Sequence, residues 1–256
     1  MRCSVLAAGV PVLVMFALVL PASAAPMPGV VSFVERTARF PTDSPAAGDT
    51  ATATLTWLEV TSIPDAALRR KVNALIGPQA ALGADLDGLR GQFAAGDHPF
   101  DEAVARVLFS GHGILQVAWT VTATGAYTSV SQTLVNVDVR AGSSFGPRQV
   151  FADVEKLAGF LDSRMHARAA ARMKAVTDAN PDQADLLQDA ADNLAYTPDM
   201  LDSAELGDQG MLFRLGFDFP HALAALEPDP VEVRLGWKEL RPFLSSGSVL
   251  LRLAGR

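Results

Sequence analysis

The chain has 256 residues, 49% of them hydrophobic, and a formal net charge of −7. A chain of this length can bury one large core or two smaller ones. The acidic balance, with a pI near 5.1, argues against a nucleic-acid partner, because nucleic-acid binding needs a basic surface.

The first 24 residues predict a signal peptide. Arg2 precedes an apolar run over residues 5–20, Pro21 ends the run, and Ala22-Ser23-Ala24 has the small-x-small pattern of a cleavage site. An uncleaved anchor helix is the alternative interpretation. Because no other stretch is long and apolar enough for a membrane span, we expect a periplasmic or secreted protein, without a transmembrane segment after cleavage.

Cysteine and histidine usage predicts neither a metal nor a cofactor. Cys3 is the single cysteine, and cleavage of the signal would remove it. We therefore expect no disulfide, cysteine nucleophile or cysteine metal site. The four histidines show no metal-ligand spacing; they are His98, His112, His166 and His221.

The first part of the mature chain alternates between strand and helix patterns. Residues 30–40 and 50–60 predict strands, and the second of these alternates between apolar residues and threonine. A helix with one apolar face follows over residues 65–76, where Gly77-Pro78 stops it. Residues 80–95 predict a weaker helix.

Three strands are predicted in the middle of the chain, over residues 101–109, 114–124 and 127–140. Gly111-His112-Gly113 lies between the first two as a hairpin turn, and Gly125-Ala126 joins the second to the third. The last two strands are rich in valine and threonine, which favour a pleated surface.

The hydrophobic period changes from two to 3.6 over residues 151–176, which predicts an amphipathic helix. A second helix is predicted over residues 182–194, and a polar loop over residues 196–210. Residues 211–218 and 231–235 predict two further strands that close the sheet.

The element order predicts an α+β fold, an antiparallel sheet with helices packed mainly on one face. A seam near residues 96–99 divides the mature chain into two units, so that the whole chain has three parts. They are a signal peptide (1–24), an N-terminal strand-helix unit (25–98) and a C-terminal α+β domain (99–256).

The second half resembles the RsiV-like exported proteins, whose C-terminal domain is the domain of unknown function 3298. Asp138, Gly142 and Phe151 stand where that family has an Asp strand, a glycine turn and a phenylalanine, and a long helix follows. The C-terminal matches are Val231-Glu232-Val233, Lys238-Glu239-Leu240 and Pro242-Phe243-Leu244. Asn73 lies where the N-terminal companion domain has a helical asparagine.

The resemblance implies a module that binds or accompanies cell-wall material, since the family includes a lysozyme-sensing anti-sigma factor and an added domain on a peptidoglycan deacetylase. Two segments depart from the family pattern. A histidine-containing run is replaced here by residues 125–128, and two tyrosines of an aromatic turn are missing from residues 217–222.

Catalytic signatures are weak. Ser131, His112 and Asp138 form a triad only on paper, because no G-x-S-x-G elbow accompanies the serine. Asp199 and Asp202 are interpreted as solvated loop acids. We therefore predict no catalytic residues.

An aromatic-rich stretch is the best candidate for binding. Its members are Phe213, Phe217, Phe219, Trp237 and Phe243. Core packing of Trp237 and Phe243 is the first interpretation, and a ligand groove with Asp218 and His221 at its polar edge is the second. The predicted binding residues are Asp218, His221, Trp237, His112 and Tyr127.

The leading functional hypothesis is a non-enzymatic protein of the cell envelope that binds a partner protein or a peptidoglycan fragment. Two alternatives stay open. One is a hydrolase acting on the cell wall, with His112 or His221 in its site, and the other is an inhibitory protein that binds lysozyme.

Overall fold

The computed structural model describes residues 31–42, 51–125, 127–187, 194–217, 219 and 221–255. The strands of this part form two sheets, with helices packed against them. The predicted α+β class is confirmed.

The larger sheet has six strands that neighbour one another in chain order. They are β1 (Phe33–Thr42), β2 (Ala51–Val60), β3 (Glu102–Gly111), β4 (Ile114–Thr124), β5 (Thr128–Asp138) and β6 (Ser143–Ser144). All neighbours are antiparallel except β2 and β3, which are parallel.

Three helices make the crossover between the parallel strands β2 and β3. They are α1 (Ala66–Ile76), α2 (Pro78–Leu82) and α3 (Leu86–Ala94). A parallel pair needs such a connection because a tight turn can join only antiparallel strands. The pairing of β2 with β3 crosses the predicted seam near residue 98, and the division into two units stays a prediction.

Local signals start these helices where the sequence suggests. The Asp65 carboxylate accepts hydrogen bonds from the N–H groups of Ala67 and Leu68 at the start of α1. Asp85 accepts from the N–H of Gly88 at the start of α3. Pro78 occupies the first turn of α2, where its missing N–H costs nothing.

The smaller sheet has three antiparallel strands, in the order β7 (Glu205–Gly207), β8 (Gly210–Leu215) and β9 (Val231–Gly236). The prediction that β8 and β9 close the larger sheet is wrong. Instead, β8 pairs with β9 on one side and with β7 on the other, and β7 is a strand of three residues inside the stretch interpreted as a polar loop. A strand this short has too few residues for an alternating pattern to be detected.

A short helix, α4 (Pro147–Val150), precedes the long helix α5 (Val154–Ala179). Helix α5 packs on the smaller sheet, and its predicted amphipathic stripe is confirmed. Its buried residues are Val154, Leu157, Ala158, Leu161, Met165, Ala169 and Met173. Asp153 caps the helix by accepting a hydrogen bond from the N–H of Lys156. In the described ranges, none of the helices combines the length and apolarity needed to cross a bilayer.

Strand β4 connects two hydrophobic cores, because residues 114–119 are buried on both of its faces. Leu115, Val117 and Trp119 belong to the core under α1 and α3, whereas Ile114 belongs to the core around α5. Trp119 also donates its indole N–H to the carbonyl of Ile76, at 3.1 Å, near the end of α1.

The fully buried Gln116 joins the two sheets through its side-chain amide. Its Oε1 accepts from the N–H of Leu206 at 2.8 Å, and its Nε2 donates to the carbonyl of Ala204 at 2.9 Å and to Asn136 Oδ1 at 2.8 Å. These contacts fix the residues around β7 against β4 and β5. They thereby place the segment before β7 beside the loop that follows β6.

Candidate functional site

The aromatic stretch forms part of the core. Phe213, Phe217, Phe219 and Trp237 are all buried, and Phe243 is partly buried. Trp237 is 8% exposed and donates its indole N–H to the carbonyl of Asp208 at 3.0 Å. An aromatic ring in this position presents little surface to a ligand.

Of the two polar residues predicted beside these aromatics, His221 begins the 3₁₀ turn His221–Leu226. Asp218 lies outside the described residues, as does the side chain of His221. Their predicted binding roles stay predictions.

His112 and Tyr127 lie at opposite ends of β4. His112 occupies the β3–β4 turn with a φ of 56°, and Gly113 follows with a φ of 75°. Two consecutive positive φ values are typical of a type I′ hairpin turn. Tyr127, 68% exposed, lies just before β5. Because β4 has 11 residues, the strand separates them by roughly 35 Å, so they do not line one site.

The Ser131, His112 and Asp138 triad is not assembled. Ser131 lies opposite Val121 and Asp138 lies opposite Ile114 in the β4–β5 ladder. The serine and the aspartate are therefore roughly 23 Å apart along β5.

Elsewhere in the described chain, no group of three or more His, Cys, Asp or Glu side chains is arranged to hold a metal. His166 contacts the carbonyl of Leu194 through Nδ1 at 3.1 Å and lies on the exposed side of α5. His98 stacks at a tilt against Phe93, with ring centroids 5.5 Å apart. Both contacts position the rings within the fold.

A surface groove of about 350 Å³ lies where the loop after β6 meets the 3₁₀ segment Pro198–Ser203. Its walls mix apolar and charged side chains. They are Gly146, Pro147, Arg148, Gln149, Val154, Pro198, Asp199 and Asp202. A second pocket of only about 10 Å³ shares Gly146 and Pro147 with the groove.

The charged side chains of the groove have no partner within the described part of the chain. Neither Arg148 nor Asp199 nor Asp202 makes a side-chain hydrogen bond or an ion pair there. The arrangement therefore offers a guanidinium and two carboxylates to one bound molecule. Val154, Pro147 and Pro198 supply apolar surface between them.

Backbone geometry sets both sides of the groove. In a 3₁₀ segment the side chains at i and i+3 eclipse, so Asp199 and Asp202 lie on the same face. On the other side, Pro147 opens the short helix Pro147–Val150, and the Gln149 side chain accepts a hydrogen bond from the N–H of Gly146. This cap holds the turn that carries Arg148.

No family model and no curated protein matches this sequence. Solved structures do match it. One is a DUF3298 family protein from Pseudomonas aeruginosa PAO1, with a TM-score of 0.51 and 14% identity, over 86% of this chain and 96% of that chain. The chain has the fold of the DUF3298 proteins. The resemblance that the sequence indicates is thereby confirmed for the fold.

A DUF3298 family member from Bacteroides fragilis NCTC 9343 also matches, with a TM-score of 0.48 and 13% identity, over 89% of this chain and 99% of that chain. Likenesses at this level of identity concern the fold alone. The family is one of unknown function, so any functional assignment depends on the residues of this chain.

The residues that carry the DUF3298 resemblance have structural roles. Asn73 on α1 accepts from the N–H of Val60 at 2.7 Å and donates to its carbonyl at 3.2 Å, so it continues the hydrogen bonding of β2. Gly142 has a φ of 63°, and a Cβ there would lie 2.7 Å from Leu68. Phe151 forms an isolated bridge with Leu244.

Asp138 fixes the turn after β5. Its carboxylate accepts two hydrogen bonds from the Arg252 guanidinium, both at 2.8 Å, and one from the N–H of Arg140 at 3.0 Å. Burial raises the pKa of Asp138, but these hydrogen bonds outweigh burial and lower the pKa below its usual value. A carboxylate bound in this way is ionised and structural.

Sequence reasoning missed the groove. It interpreted Asp199 and Asp202 as loop acids and did not consider Arg148, which lies about fifty residues earlier in the chain. One local signal was present: Pro198 followed by D-x-x-D favours a tight turn with both acids on one side. The approach of Arg148 depends on contacts between distant segments.

Proposed function

We propose that this protein is a non-enzymatic component of the cell envelope that binds a peptidoglycan-derived peptide in the groove between Arg148 and the Asp199–Asp202 pair. The observation that carries the proposal is that three charged side chains, which have no partner among the described residues, line one groove. The signal-peptide pattern of residues 1–24 supports export.

The size of the groove fits a small ligand better than a protein surface. A volume of about 350 Å³ lies within the range of small-molecule sites. A wall-derived stem peptide carries free carboxylates and an ammonium group on a short backbone with small apolar side chains. Arg148 is suited to the carboxylate because a guanidinium donates two parallel hydrogen bonds. Asp199 and Asp202 are suited to the ammonium.

Titration calorimetry with purified stem peptide tests this proposal. Arg148→Ala removes a charge-assisted contact of about 1.5–3 kcal/mol, so we expect the Kd to rise about 10-fold to 100-fold. Asp199→Asn combined with Asp202→Asn should weaken binding of the same peptide, and should lose the preference for the free amine over its acetylated form.

Arg39→Ala is the matched control. Arg39 is an exposed arginine on β1, the outer strand of the six-stranded sheet opposite β6, and it does not line the groove. It should leave the Kd unchanged. A Kd unaffected by Arg148→Ala, or affected equally by Arg39→Ala, would contradict the groove as the site.

Titration with lysozyme, and incubation with intact glycan strands, test the inhibitory-protein and hydrolase hypotheses. Binding of lysozyme that survives Arg148→Ala would favour the inhibitory-protein hypothesis over the peptide site. Release of soluble wall fragments by the purified protein would favour the hydrolase hypothesis. The Ser131, His112 and Asp138 triad is not assembled, and the side chain of His221 lies outside the described residues, so the hydrolase hypothesis has no support from observed geometry.

A further inference from the structure

The free edge of β5 differs from the other outer edge of the six-stranded sheet. Edge strands usually carry charges, proline or bulges, because their unpaired backbone groups otherwise recruit another strand. At the opposite edge, β1 has Glu35, Arg36, Arg39 and Pro41. Residues 127–136, by contrast, contain neither a charged residue nor a proline.

The hydrogen bonds of β5 show which of its backbone groups point away from β4. The carbonyl of Asn136 accepts from the N–H of Phe145 on the side away from β4. Because the direction alternates with a period of two in an antiparallel strand, four earlier residues point their N–H and C=O groups the same way. They are Thr128, Val130, Gln132 and Leu134.

Only the end of this edge is covered within the described ranges. Strand β6 pairs with Val137 and Asp138 alone. The residues before them are exposed on both faces over 128–133. Val130 is 67% exposed, and Tyr127, which precedes the strand, is 68% exposed.

We propose that β5 pairs antiparallel with β5 of a second copy of this chain, about a two-fold axis through Ser131. In this register Thr128 lies opposite Leu134 of the second copy, and Val130 opposite Gln132. These are the four residues whose backbone groups point outward, so every one of them gains a partner. The pairing forms eight backbone hydrogen bonds and joins two six-stranded sheets into one.

The side chains suit this symmetric register. Ser129 lies opposite Thr133 of the second copy, and Ser131 lies opposite Ser131 of the second copy. Hydroxyl groups therefore face one another in pairs. Tyr127 lies opposite Val135, an aromatic and β-branched pair. Each chain carries a net charge of −7, and an uncharged strand is where two copies approach with the least repulsion.

A second copy is the occupant that the strand favours over an unrelated peptide, because one sequence satisfies both sides of the interface. The interface is short. About eight residues per copy is well under the roughly 20–30 per side of a standard interface. We therefore expect a dimer with a micromolar dissociation constant.

Sedimentation of the purified protein from micromolar to submillimolar concentration measures this equilibrium. Gln132→Pro removes an outward N–H without removing a bond to β4, and should raise the dimer Kd at least tenfold. Thr37→Lys, at an exposed position in the middle of β1, should not change it. A wild-type protein that stays monomeric over this range would overturn the proposal and favour a peptide partner instead.

Disulfide trapping tests the register independently of any effect on folding. In a Cys3→Ser background, Ser131→Cys places two thiols in a non-hydrogen-bonded pair, about 4.5 Å apart between Cα atoms, a distance that a disulfide spans. Mild oxidation should give a covalent dimer. In the Ser129→Cys variant the two cysteines lie four residues out of register, so oxidation should give little covalent dimer. Equal cross-linking by both variants, or by neither, contradicts the two-fold pairing.

Discussion

The β4–β5 hairpin has two ends with the same strand pairing and opposite surroundings. Near the His112 turn, residues 114–119 of β4 are buried on both faces. Near Gly125, residues 128–133 of β5 are exposed on both faces. The ladder is continuous between them. Hydrogen bonding therefore does not decide burial; the elements stacked above and below the sheet do.

The buried end explains why both cores belong to one structure. Helices α1 and α3 cover one face of the sheet. On the other face, residues around β7 are hydrogen-bonded to the side chain of Gln116. Substitutions at this end should therefore destabilise the whole protein, whereas substitutions at the exposed end should leave the free energy of unfolding nearly unchanged. Four predictions test this contrast, from the largest effect to the smallest.

Trp119→Ala should lower the free energy of unfolding by about 3–5 kcal/mol. The ring is 1% exposed within the core under α1, and its N–H is bonded to Ile76. Chemical denaturation measures the change. A loss below about 1 kcal/mol would mean that this core collapses around the cavity, contrary to a close-packed interior.

Gln116→Leu should cost about 2–4 kcal/mol, because it leaves the N–H of Leu206 and the carbonyl of Ala204 buried without partners. The matched control at the exposed end is Gln132→Leu, measured at nanomolar concentration, where we expect a change within about 0.5 kcal/mol. Equal effects at the two positions would contradict the difference between the ends.

Asp138→Asn should cost about 1.5–3 kcal/mol near neutral pH, through its hydrogen bonds to Arg252. The pKa of Asp138 is lowered in the folded protein, so its stabilisation is present above the unfolded pKa of about 3.9. It is lost as the pH falls through the lower folded pKa.

Thermal melts between neutral pH and strongly acidic pH should therefore converge for the wild type and Asp138→Asn. Asp178→Asn is the control, since its ion pair with Lys174 is exposed and is worth less than about 1 kcal/mol. A constant difference between wild type and Asp138→Asn at all pH values would show that the charge of Asp138 is not the cause.

Val130→Ala should change the free energy of unfolding by no more than about 0.5 kcal/mol when the protein is monomeric. The side chain is 67% exposed at the uncovered end of β5. Denaturation at nanomolar concentration measures this smallest effect. A loss above about 1 kcal/mol would mean that an element of the same chain covers the exposed end.

Sequence reasoning located most elements but not their partners. The strands over residues 51–60 and 114–124, the turn at His112 and the helix α5 agree with the predicted positions. The DUF3298 fold was also indicated. The separate smaller sheet was not, because its pairing depends on β7, which is too short for a pattern.

The candidate site was less predictable than the fold. Of the five predicted binding residues, Trp237 is buried, and His112 and Tyr127 lie at opposite ends of β4. Arg148 and Asp202 are brought to one groove from segments more than fifty residues apart. Asp202 has the D-x-x-D pattern after Pro198 as a local signal, whereas nothing in the local sequence distinguishes Arg148 from other surface charges.

The sequence by itself determined the local conformations. Strands show a hydrophobic period of two and helices a period of 3.6, while Asp65 and Pro78 start helices and Gly113 reverses the chain. These depend on contacts between near neighbours. Tertiary structure decided the parallel pairing of β2 with β3, the role of Gln116 and the position of the groove. These depend on which distant surfaces meet, and burial selects among such pairings only when the whole chain is folded.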